Sequence, residues 1–487
     1  MHNIHGLLQT GHLFGYCTNN QKFGGTEATL GTNLKIITTR NSLILTIFLQ
    51  ITIGLGLSSA LAASPKVQEG VFIYDNDGTH FRNLKANKEL VIDHRTPKGY
   101  ELYGPKGIRK YLKMMDIPFF ELLENDTDKA IFDKYPTPEE IEKVLKQFAA
   151  KYPKIMKLFS IGKSVDNREL WMVKLSDNVQ KDEVEPEVKY IANMHGNEIV
   201  GRELMVLLIK DLLEAYQAGD HRVRELLNNN EVFIMPTMNP DGSSSKRRGN
   251  AKWTDLNRDF PDFTTQDNQN SPNGRDPETN AVMKLQAERH FSLSANFHGG
   301  TKVVNYPWDT SNDEFPMDDL IKELSLEYAK ENQDMRRSRR FKNGIVNGYK
   351  WYEVDGGMQD WSYHWHGDLQ VTIELSDTKW PSYDTMDDYY KENRESLVRY
   401  LERVSQGAGF KTSDRSLKGM VEITKIGGDN PGLIGTFPFG NGEYYKILLN
   451  GKYQFKVTGN GKTWKFQTEV DFKNISTVGN YTSLDQL

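Results

Sequence analysis

Residues 187–216 read EVKYIANMHGNEIVGRELMVLLIKDLLEAY, and this stretch decides the fold. Its first seven residues are typical of a buried strand, and residues 203–216 place leucines at helical spacing on one side. A strand that leads into an amphipathic helix is the repeating unit of an α/β protein. Further buried strands are predicted at residues 231–235, 291–297 and 370–375. We therefore predict an α/β domain with a mixed, mostly parallel sheet flanked by helices.

Metal-ligating side chains follow two of these strands. His195 and Glu198 come directly after the first strand, and His298 comes directly after the strand at residues 291–297. In open α/β sheets, ligands bind outside the carboxyl ends of the strands. Two histidines and one carboxylate are typical of a zinc site that keeps a position open for water. Either histidine alone would more often be an ordinary core or surface residue, but the set predicts one Zn²⁺ per chain.

A carboxylate also lies inside an apolar strand. Glu374 belongs to the run VTIEL at residues 371–375. Burial of a carboxylate is costly unless the group is paired or takes part in chemistry. Glu374 is therefore a candidate general base, and a buried structural ion pair is the alternative.

Several short motifs of polar, charged and glycine residues occur along the chain. Besides HGNE at residues 195–198 and HGG at residues 298–300, they are NPDG at 239–242, DLNRDFPD at 255–262, NYPWD at 305–309, GGMQDW at 356–361 and VTIEL at 371–375. In this order they resemble the zinc metallocarboxypeptidases of the funnelin family. Within that family the chain is most similar to the regulatory subfamily of carboxypeptidases D, E, M and N. The resemblance covers roughly residues 130–487.

The resemblance implies a role for each matching residue. His195, Glu198 and His298 would bind zinc, and Asp255 would orient His195. Glu374 would act as general base and proton shuttle, and Arg248, with Arg247 as its adjacent alternative, would polarise the substrate carbonyl. The implied substrate-binding residues are Asn257 and Arg258 for the terminal carboxylate, Tyr352 as a mobile cap, and Asp309 for a basic side chain, with Gln359 as a further hydrogen-bond donor beside Asp309.

The expected function is that of a secreted zinc metallocarboxypeptidase. It would hydrolyse the C-terminal peptide bond of peptides or proteins and release lysine or arginine, with a zinc-activated water and Glu374 as the base. One alternative is a zinc amidohydrolase that acts on cell-wall peptides or acylated amino acids. A second alternative is a secreted binding protein without activity. The presence of Glu374 and of all three zinc ligands favours an enzyme over that second alternative.

The chain is predicted to have four parts. Residues 1–62 form a presequence, because an uncharged window between Arg40 and Lys66 holds an apolar run and ends in small residues, as in a signal peptide cleaved after Ala62. The mature protein would be secreted or periplasmic without a stable membrane span, and a retained N-terminal membrane anchor is the alternative. Residues 63–128 are a segment of unknown role: a small lobe, a propeptide or decoration on the main domain. Residues 129–408 are the catalytic domain, and residues 409–487 a transthyretin-like β-sandwich.

Composition excludes some partners and sites, and turn residues predict two turns near the C-terminus. The formal net charge is -5, and the basic residues are not concentrated in one part of the sequence. No nucleic-acid partner is therefore expected. The single cysteine, Cys17, excludes an intrachain disulfide and a thiolate metal site beyond it. Near the C-terminus, Asn450-Gly451 predicts a type I′ hairpin turn between two paired strands, and Asn460-Gly461 predicts a second turn.

Overall fold

The structure is a computed structural model that describes residues 64–122, 135–427, 430–473 and 480–487. The predicted signal peptide lies outside these residues. Within the described ranges, we find no helix that has the length and apolar character needed to cross a membrane.

Residues 64–122, which we call the N-terminal segment, form a small sheet with two helices. Its elements are β1 (Glu69–Tyr74), α1 (Thr79–Lys85), β2 (Val91–Thr96), β3 (Gly99–Gly104), α2 (Ile108–Met114) and β4 (Phe119–Glu121). The strands pair antiparallel in the order β2-β3-β1-β4. Both helices contribute to an apolar core with the strands, made of Val71, Ile73, Leu84, Tyr100, Leu102, Ile108, Leu112 and Ile117.

The next part of the chain alternates strands and helices. Its elements are α3 (Pro138–Lys151), β5 (Met156–Lys163), β6 (Glu169–Leu175), β7 (Glu187–Ala192), α4 (Val200–Ala218), α5 (His221–Asn229), β8 (Glu231–Met235), α6 (Pro240–Ser244), α7 (Pro277–Glu288), β9 (Phe291–His298), β10 (Thr301–Tyr306), α8 (Asp318–Glu331), α9 (Gln333–Arg336), β11 (Ile345–Asn347), α10 (Gly348–Trp351), α11 (Met358–His366), β12 (Leu369–Ser376) and α12 (Met386–Glu402). The described strands form an eight-stranded sheet in the order β11-β10-β12-β9-β7-β8-β6-β5. Four of its seven neighbour pairs are parallel, and the predicted mixed sheet flanked by helices is confirmed.

Local sequence signals explain where the helices begin and end. Helix α3 begins after Thr137, whose hydroxyl accepts from the Glu140 backbone N–H while the Glu140 carboxylate accepts from the Thr137 N–H. This reciprocal pair satisfies two backbone donors that the helix itself leaves free. Helix α4 ends at Gly219, whose φ of 87° is readily adopted only by glycine.

The parallel strands place the candidate metal ligands and the candidate base at one edge of the sheet. Strands β7, β9 and β12 are adjacent and parallel, so their carboxyl ends meet. In this register Glu374 of β12 lies directly opposite His298 of β9. Backbone pairing therefore sets the base candidate beside a metal-ligand candidate.

The C-terminal part is all-β. Its strands are β13 (Gly407–Lys411), β14 (Gly419–Lys425), β15 (Gly432–Phe439), β16 (Glu443–Ile447), β17 (Gly451–Gly459), β18 (Lys462–Val470) and β19 (Asn480–Ser483), in sheets of order β16-β13-β19 and β15-β14-β17-β18. The turn at Asn460-Gly461 is confirmed, with φ values of 48° and 75° between the paired strands β17 and β18. The turn at Asn450-Gly451 does not join paired strands, and that prediction is wrong. The chain passes there from one sheet to the other, because β16 pairs with β13 and β17 with β14.

Phe437 of the C-terminal sheets packs against the α/β part of the protein. Its side chain is 5% exposed and packs against Gly367, where an added Cβ would lie 2.5 Å from the ring. The ring of Tyr363 lies 6.0 Å from that of Phe437, measured between centroids. Lys446 donates a hydrogen bond to the Gly367 carbonyl beneath them. The contact joins α11 to β15, so the C-terminal sheets share a core with the domain that holds the site.

We expect Phe437→Ala to lower the free energy of unfolding by about 3–5 kcal/mol, because a buried ring is removed and the cavity closes only in part. The matched control is Leu433→Ala on the same strand, whose side chain is 62% exposed; it should stay within about 0.5 kcal/mol of the parent. Urea denaturation of both variants provides the measurement. Equal stabilities of the two variants would show that the C-terminal sheets do not support the main domain.

Candidate active site

The three predicted metal ligands converge at the sheet edge. His195 and Glu198 lie in the turn between β7 and α4, and His298 ends β9. The Nδ1 atoms of the two histidines are 3.0 Å apart, and the Glu198 Oε2 atom lies 3.0 Å from the His195 Nδ1 and 2.8 Å from the His298 Nδ1. All three residues are buried, with exposures of 2–3%. A compact set of two nitrogens and one oxygen has therefore been brought together.

This donor set fits zinc. Zinc binds histidine nitrogens at about 2.0–2.1 Å in tetrahedral geometry, which places neighbouring ligand atoms roughly 3.3 Å apart. The nitrogens of His195 and His298 face each other near that separation. Two buried acceptor nitrogens that point at one another beside a carboxylate are poorly satisfied by each other, and a shared cation resolves the conflict.

Asp255 connects the metal ligands to a buried arginine. Its Oδ1 lies 3.0 Å from the His195 Nε2, and its Oδ2 accepts from the Arg248 Nε at 2.9 Å. Burial alone would raise the pKa of Asp255, but Arg248 and His195 together hold it well below its ordinary value. A carboxylate that stays ionised fixes the proton of His195 on Nε2, which leaves Nδ1 free for the metal.

Arg248, and not Arg247, faces the ligand cluster. The Arg248 Nη1 lies 3.5 Å from the Glu198 Oε1, and its side chain is 1% exposed. The guanidinium of Arg247 instead lies over the ring of Trp253, 4.4 Å from its centroid. Within the described residues, the Arg248 Nη2 has no hydrogen-bond partner. One buried donor of Arg248 is thus left available at the site.

Glu374 lies in β12 with 4% exposure. Its Oε1 is 3.4 Å from the Nε2 of His94, a residue of the N-terminal segment. Its Oε2 accepts no hydrogen bond from any described residue. A buried, partly unsatisfied carboxylate beside a metal-ligand cluster can accept a proton.

The residues predicted to hold the terminal carboxylate lie on two loops. Asn257 and Arg258 form a short 3₁₀ turn, and the Asn257 Oδ1 accepts from the Met358 N–H at 3.0 Å. The Arg258 Nη2 donates to the Ile92 carbonyl at 3.4 Å. Tyr352, directly after α10, is 9% exposed. Its hydroxyl donates to the Asp93 carboxylate at 2.7 Å.

Asp309 is a buried carboxylate for which no ion pair is found within the described residues, although the charge of Arg258 acts on it. Asn305 and Gln359 each donate to its Oδ1 at 3.0 Å, and its side chain is 3% exposed. An added Cβ at Gly348 would lie 1.7 Å from the same oxygen, so glycine is required there. Burial raises the pKa of Asp309 to about 7, although the two hydrogen bonds oppose the shift.

Three residues at the site have no counterpart in the sequence prediction. They are Asp93 and His94 of the N-terminal segment and Lys379, whose Nζ lies 3.5 Å from the Glu198 Oε1. Asp93 and His94 stand about a hundred positions before His195, and no spacing links them to the ligand motif. The only local signal is an adjacent acid and histidine inside a short strand pattern.

Comparisons with known proteins agree with this geometry. Residues 141–396 match the family described as zinc carboxypeptidase. The chain is 38% identical to human carboxypeptidase D over 348 residues, which are 66% of this chain and 25% of that protein. It is 36% identical to mouse carboxypeptidase M over 353 residues, 67% of this chain and 78% of that protein. The chain thus spans about a quarter of the length of the carboxypeptidase D sequences that it matches.

A solved structure shares the fold. Carboxypeptidase A from Helicoverpa armigera superposes with a TM-score of 0.55 at 17% identity, covering 71% of this chain and 98% of that one. At this identity the likeness concerns the fold alone.

We expect His298→Ala to remove zinc from the purified protein, because one of three ligands is lost. The matched control is His221→Ala on α5, whose side chain is 83% exposed; it should keep one zinc per chain. Elemental analysis after dialysis measures both. Asp255→Asn should retain the metal but weaken its affinity about 10–100-fold in a competition with a chelator. Unchanged zinc content in the His298 variant would refute the ligand assignment.

Proposed function

Because the chain belongs to the zinc carboxypeptidase family, we propose that it hydrolyses the C-terminal peptide bond of peptides or proteins and releases lysine or arginine. The relatives named carboxypeptidase D, M and N support the regulatory subfamily. The observation that carries the proposal is the placement of Glu374 directly opposite His298 in the sheet.

The metal is zinc, which the description of the matching family names, with one ion per chain. His195, Glu198 and His298 would hold it, and Asp255 would keep His195 in the required tautomer. Bound zinc supplies Lewis acidity, which acidifies water and makes a carbonyl carbon more electrophilic.

The chain's own groups handle the proton and the developing charge. Glu374 takes a proton from the attacking water and later gives it to the leaving amine. The unpartnered Nη2 of Arg248 is available to donate to the oxyanion that develops on the carbonyl. A buried arginine whose orientation Asp255 already fixes requires little reorganisation in that step.

Recognition of a free C-terminus is proposed for Asn257, Arg258 and Tyr352. A planar guanidinium is well suited to a carboxylate, and an internal peptide bond would leave Arg258 without that partner. The buried Asp309 then selects the side chain of the last residue. An apolar side chain would leave its carboxylate unpaired, whereas lysine or arginine supplies the missing cation.

We also propose the localisation and the domain organisation that the sequence predicts. Residues 1–62 would be a presequence whose signal peptide ends at Ala62, with a secreted or periplasmic product; the uncharged apolar run supports this. Residues 129–408 would be the catalytic domain. Residues 409–487 would be a transthyretin-like domain, and the two small sheets of the C-terminal part support that proposal.

The first test is Glu374→Gln, which keeps the size of the side chain and removes the base. We expect kcat on a dansylated dipeptide ending in arginine to fall about 10²–10⁴-fold, while zinc content and unfolding temperature stay unchanged. Each form is assayed before and after cleavage between Leu122 and Tyr135, because the N-terminal segment contacts Arg248 and Tyr352. Near-normal turnover in the variant would mean that a group other than Glu374 takes the proton from the attacking water. An inactive parent in both assays would favour a binding protein.

The second test concerns specificity. We expect Asp309→Ala to lower the ratio of kcat/KM for C-terminal arginine to that for C-terminal leucine by at least about 30-fold, corresponding to about 2 kcal/mol. The matched control is Asp313→Ala, an exposed residue four positions along the same loop; it should leave the ratio unchanged.

The pH dependence of the same ratio gives an independent measurement. Only the ionised carboxylate of Asp309 attracts a cation, and burial raises the pKa of that carboxyl to about 7. The arginine-to-leucine ratio should therefore fall as the pH drops through about 7 and level off above it. Preference for leucine in the parent, or a ratio that does not move in the variant, would refute the specificity proposal and leave carboxypeptidase activity standing.

A further inference from the structure

Hydrogen bonds fix the main chain of Asp309 on both sides of the residue. Asp309 lies in the loop after β10, and its backbone N–H and that of Thr310 both donate to the Oδ2 of Asp360, at 2.7 and 2.9 Å. The Asp309 carbonyl accepts from the Val354 N–H at 3.1 Å. One side-chain oxygen of Asp360 therefore determines where two successive residues of the loop begin.

Two neighbouring residues of α11 hold the side chain and the main chain of Asp309 separately. Gln359 donates to the Asp309 Oδ1 at 3.0 Å, and Asp360 accepts from the Asp309 N–H. Both residues belong to the first turn of the helix. Because they are part of one rigid turn, the helix sets the position and the direction of the Asp309 carboxylate together.

Asp360 is a buried acid whose surroundings offer no other partner. Its side chain is 2% exposed, and within the described residues it forms no ion pair and its Oδ1 has no hydrogen-bond partner. Its side-chain hydrogen bonds with described residues are the two from the N–H groups of Asp309 and Thr310. Burial of such a group is costly, so a buried acid with one set of contacts points to a role in those contacts.

A second acid connects this loop to the residues proposed for the terminal carboxylate. The Thr310 hydroxyl donates to the Asp262 Oδ1 at 3.1 Å, and the Gly356 N–H donates to the Asp262 Oδ2 at 2.8 Å. Asp262 lies in the same motif as Asn257 and Arg258. The loop that carries Asp309 is thus held at a fixed place relative to the proposed binding site of the terminal carboxylate.

The charge state of Asp360 agrees with a positioning role. Burial raises the pKa of Asp360 well above its ordinary value, and the charge of Asp309 adds to this shift while the two N–H groups oppose it. Burial raises the pKa of Asp309 to about 7, where Arg258 favours its ionisation and Asp262 opposes it. Asp309 therefore ionises first and Asp360 keeps its proton. A neutral carboxyl group still accepts hydrogen bonds through its carbonyl oxygen, as an amide does.

From these contacts we infer that Asp360 is a positioning residue for specificity, which holds the main chain of Asp309 so that the Asp309 carboxylate meets the basic side chain of the last substrate residue. The inference rests on the proposed function of the site. Asp360 contacts neither the candidate zinc ligands nor Glu374 within the described residues, so its loss should alter the choice of substrate more than the turnover.

The test compares Asp360→Ala, which removes the acceptor, with Asp360→Asn, which keeps it. Dansylated dipeptides ending in arginine or leucine are assayed before and after cleavage of a protease site placed between Leu122 and Tyr135. We expect the alanine variant to lower the arginine-to-leucine ratio of kcat/KM at least about 10-fold, since a misplacement of about 1 Å is enough for such a loss, and the asparagine variant to stay within about twofold of the parent. The control is Ser396→Ala, which removes a buried hydrogen bond to the Tyr328 carbonyl and should leave the ratio unchanged. A parental ratio in the alanine variant, or equal losses in the alanine and asparagine variants, would overturn the inference.

A second variant keeps the test independent of how well the alanine variant folds. Asp360→Glu retains the acid and moves its oxygens by one methylene group, so the hydrogen bonds from Asp309 and Thr310 cannot keep their geometry. The arginine-to-leucine ratio should fall at least about 5-fold. A glutamate variant with the ratio of the parent would contradict the inference.

The pH dependence of the ratio separates positioning from a general loss of stability. In the asparagine variant and in Ser396→Ala, the ratio should fall through the same pH of about 7 as in the parent, because Asp309 keeps its surroundings. In the alanine variant the transition should move to lower pH, because Asp309 becomes less buried. A displaced transition in the asparagine variant would show that Asp360 acts through a charge, and it would refute the positioning role.

A readout without peptide hydrolysis separates this inference from the proposed function. In the full chain without peptide, the amides of Asp309 and Thr310 should exchange hydrogen at least about 10-fold faster in the alanine variant than in the parent or the asparagine variant. Faster exchange with an unchanged ratio would refute the role in specificity. A parent that hydrolyses neither dipeptide before or after cleavage would refute the proposed function, and equal exchange rates in all variants would refute the hold of Asp360 on the loop.

Discussion

The parallel pairing of β9 with β12 is the constraint on which the site depends. It places His298 and Glu374 at the same level on adjacent strands, so backbone hydrogen bonds fix the distance between a candidate metal ligand and the proposed base. A shift of one residue would turn one of these side chains to the opposite face of the sheet. Strand β7, parallel on the other side of β9, brings His195 to the same edge. Loop residues only complete an arrangement that the sheet has already set.

Asp255 links charged and ionisable groups of the site through its two carboxylate oxygens. One oxygen faces His195 and the other binds Arg248, so a single buried carboxylate orients a metal ligand and the candidate carbonyl donor together. Three charged or ionisable groups without exposure to water would be costly if any one were unpaired. Because each satisfies another, hydrogen bonds orient the groups before a substrate arrives, and electrostatic catalysis depends on such an orientation.

The parts of the fold and site that follow local rules were predictable from the sequence. Thr137 and Pro138 mark the start of α3, and the strand-end rule brings His195, Glu198 and His298 together. Long-range features were not predictable. The passage of the chain between two sheets at Asn450-Gly451 depends on which strand pairs with which, and turn residues do not encode that. The position of Asp93 depends on how one folded unit docks on another.

The N-terminal segment pairs with side chains that the proposed function assigns to the substrate. Arg248 and Tyr352 are buried donors and Arg258 is a half-buried one. All three need an anion or a carbonyl oxygen, and the free C-terminus of a peptide offers both groups. A segment that packs against these donors must satisfy them, since apolar side chains in the same place would leave polar groups unpaired. Asp93 accepts from Arg248 and Tyr352, and the Ile92 carbonyl accepts from Arg258. The terminal carboxylate and the last carbonyl of a peptide would offer these donors equivalent acceptors.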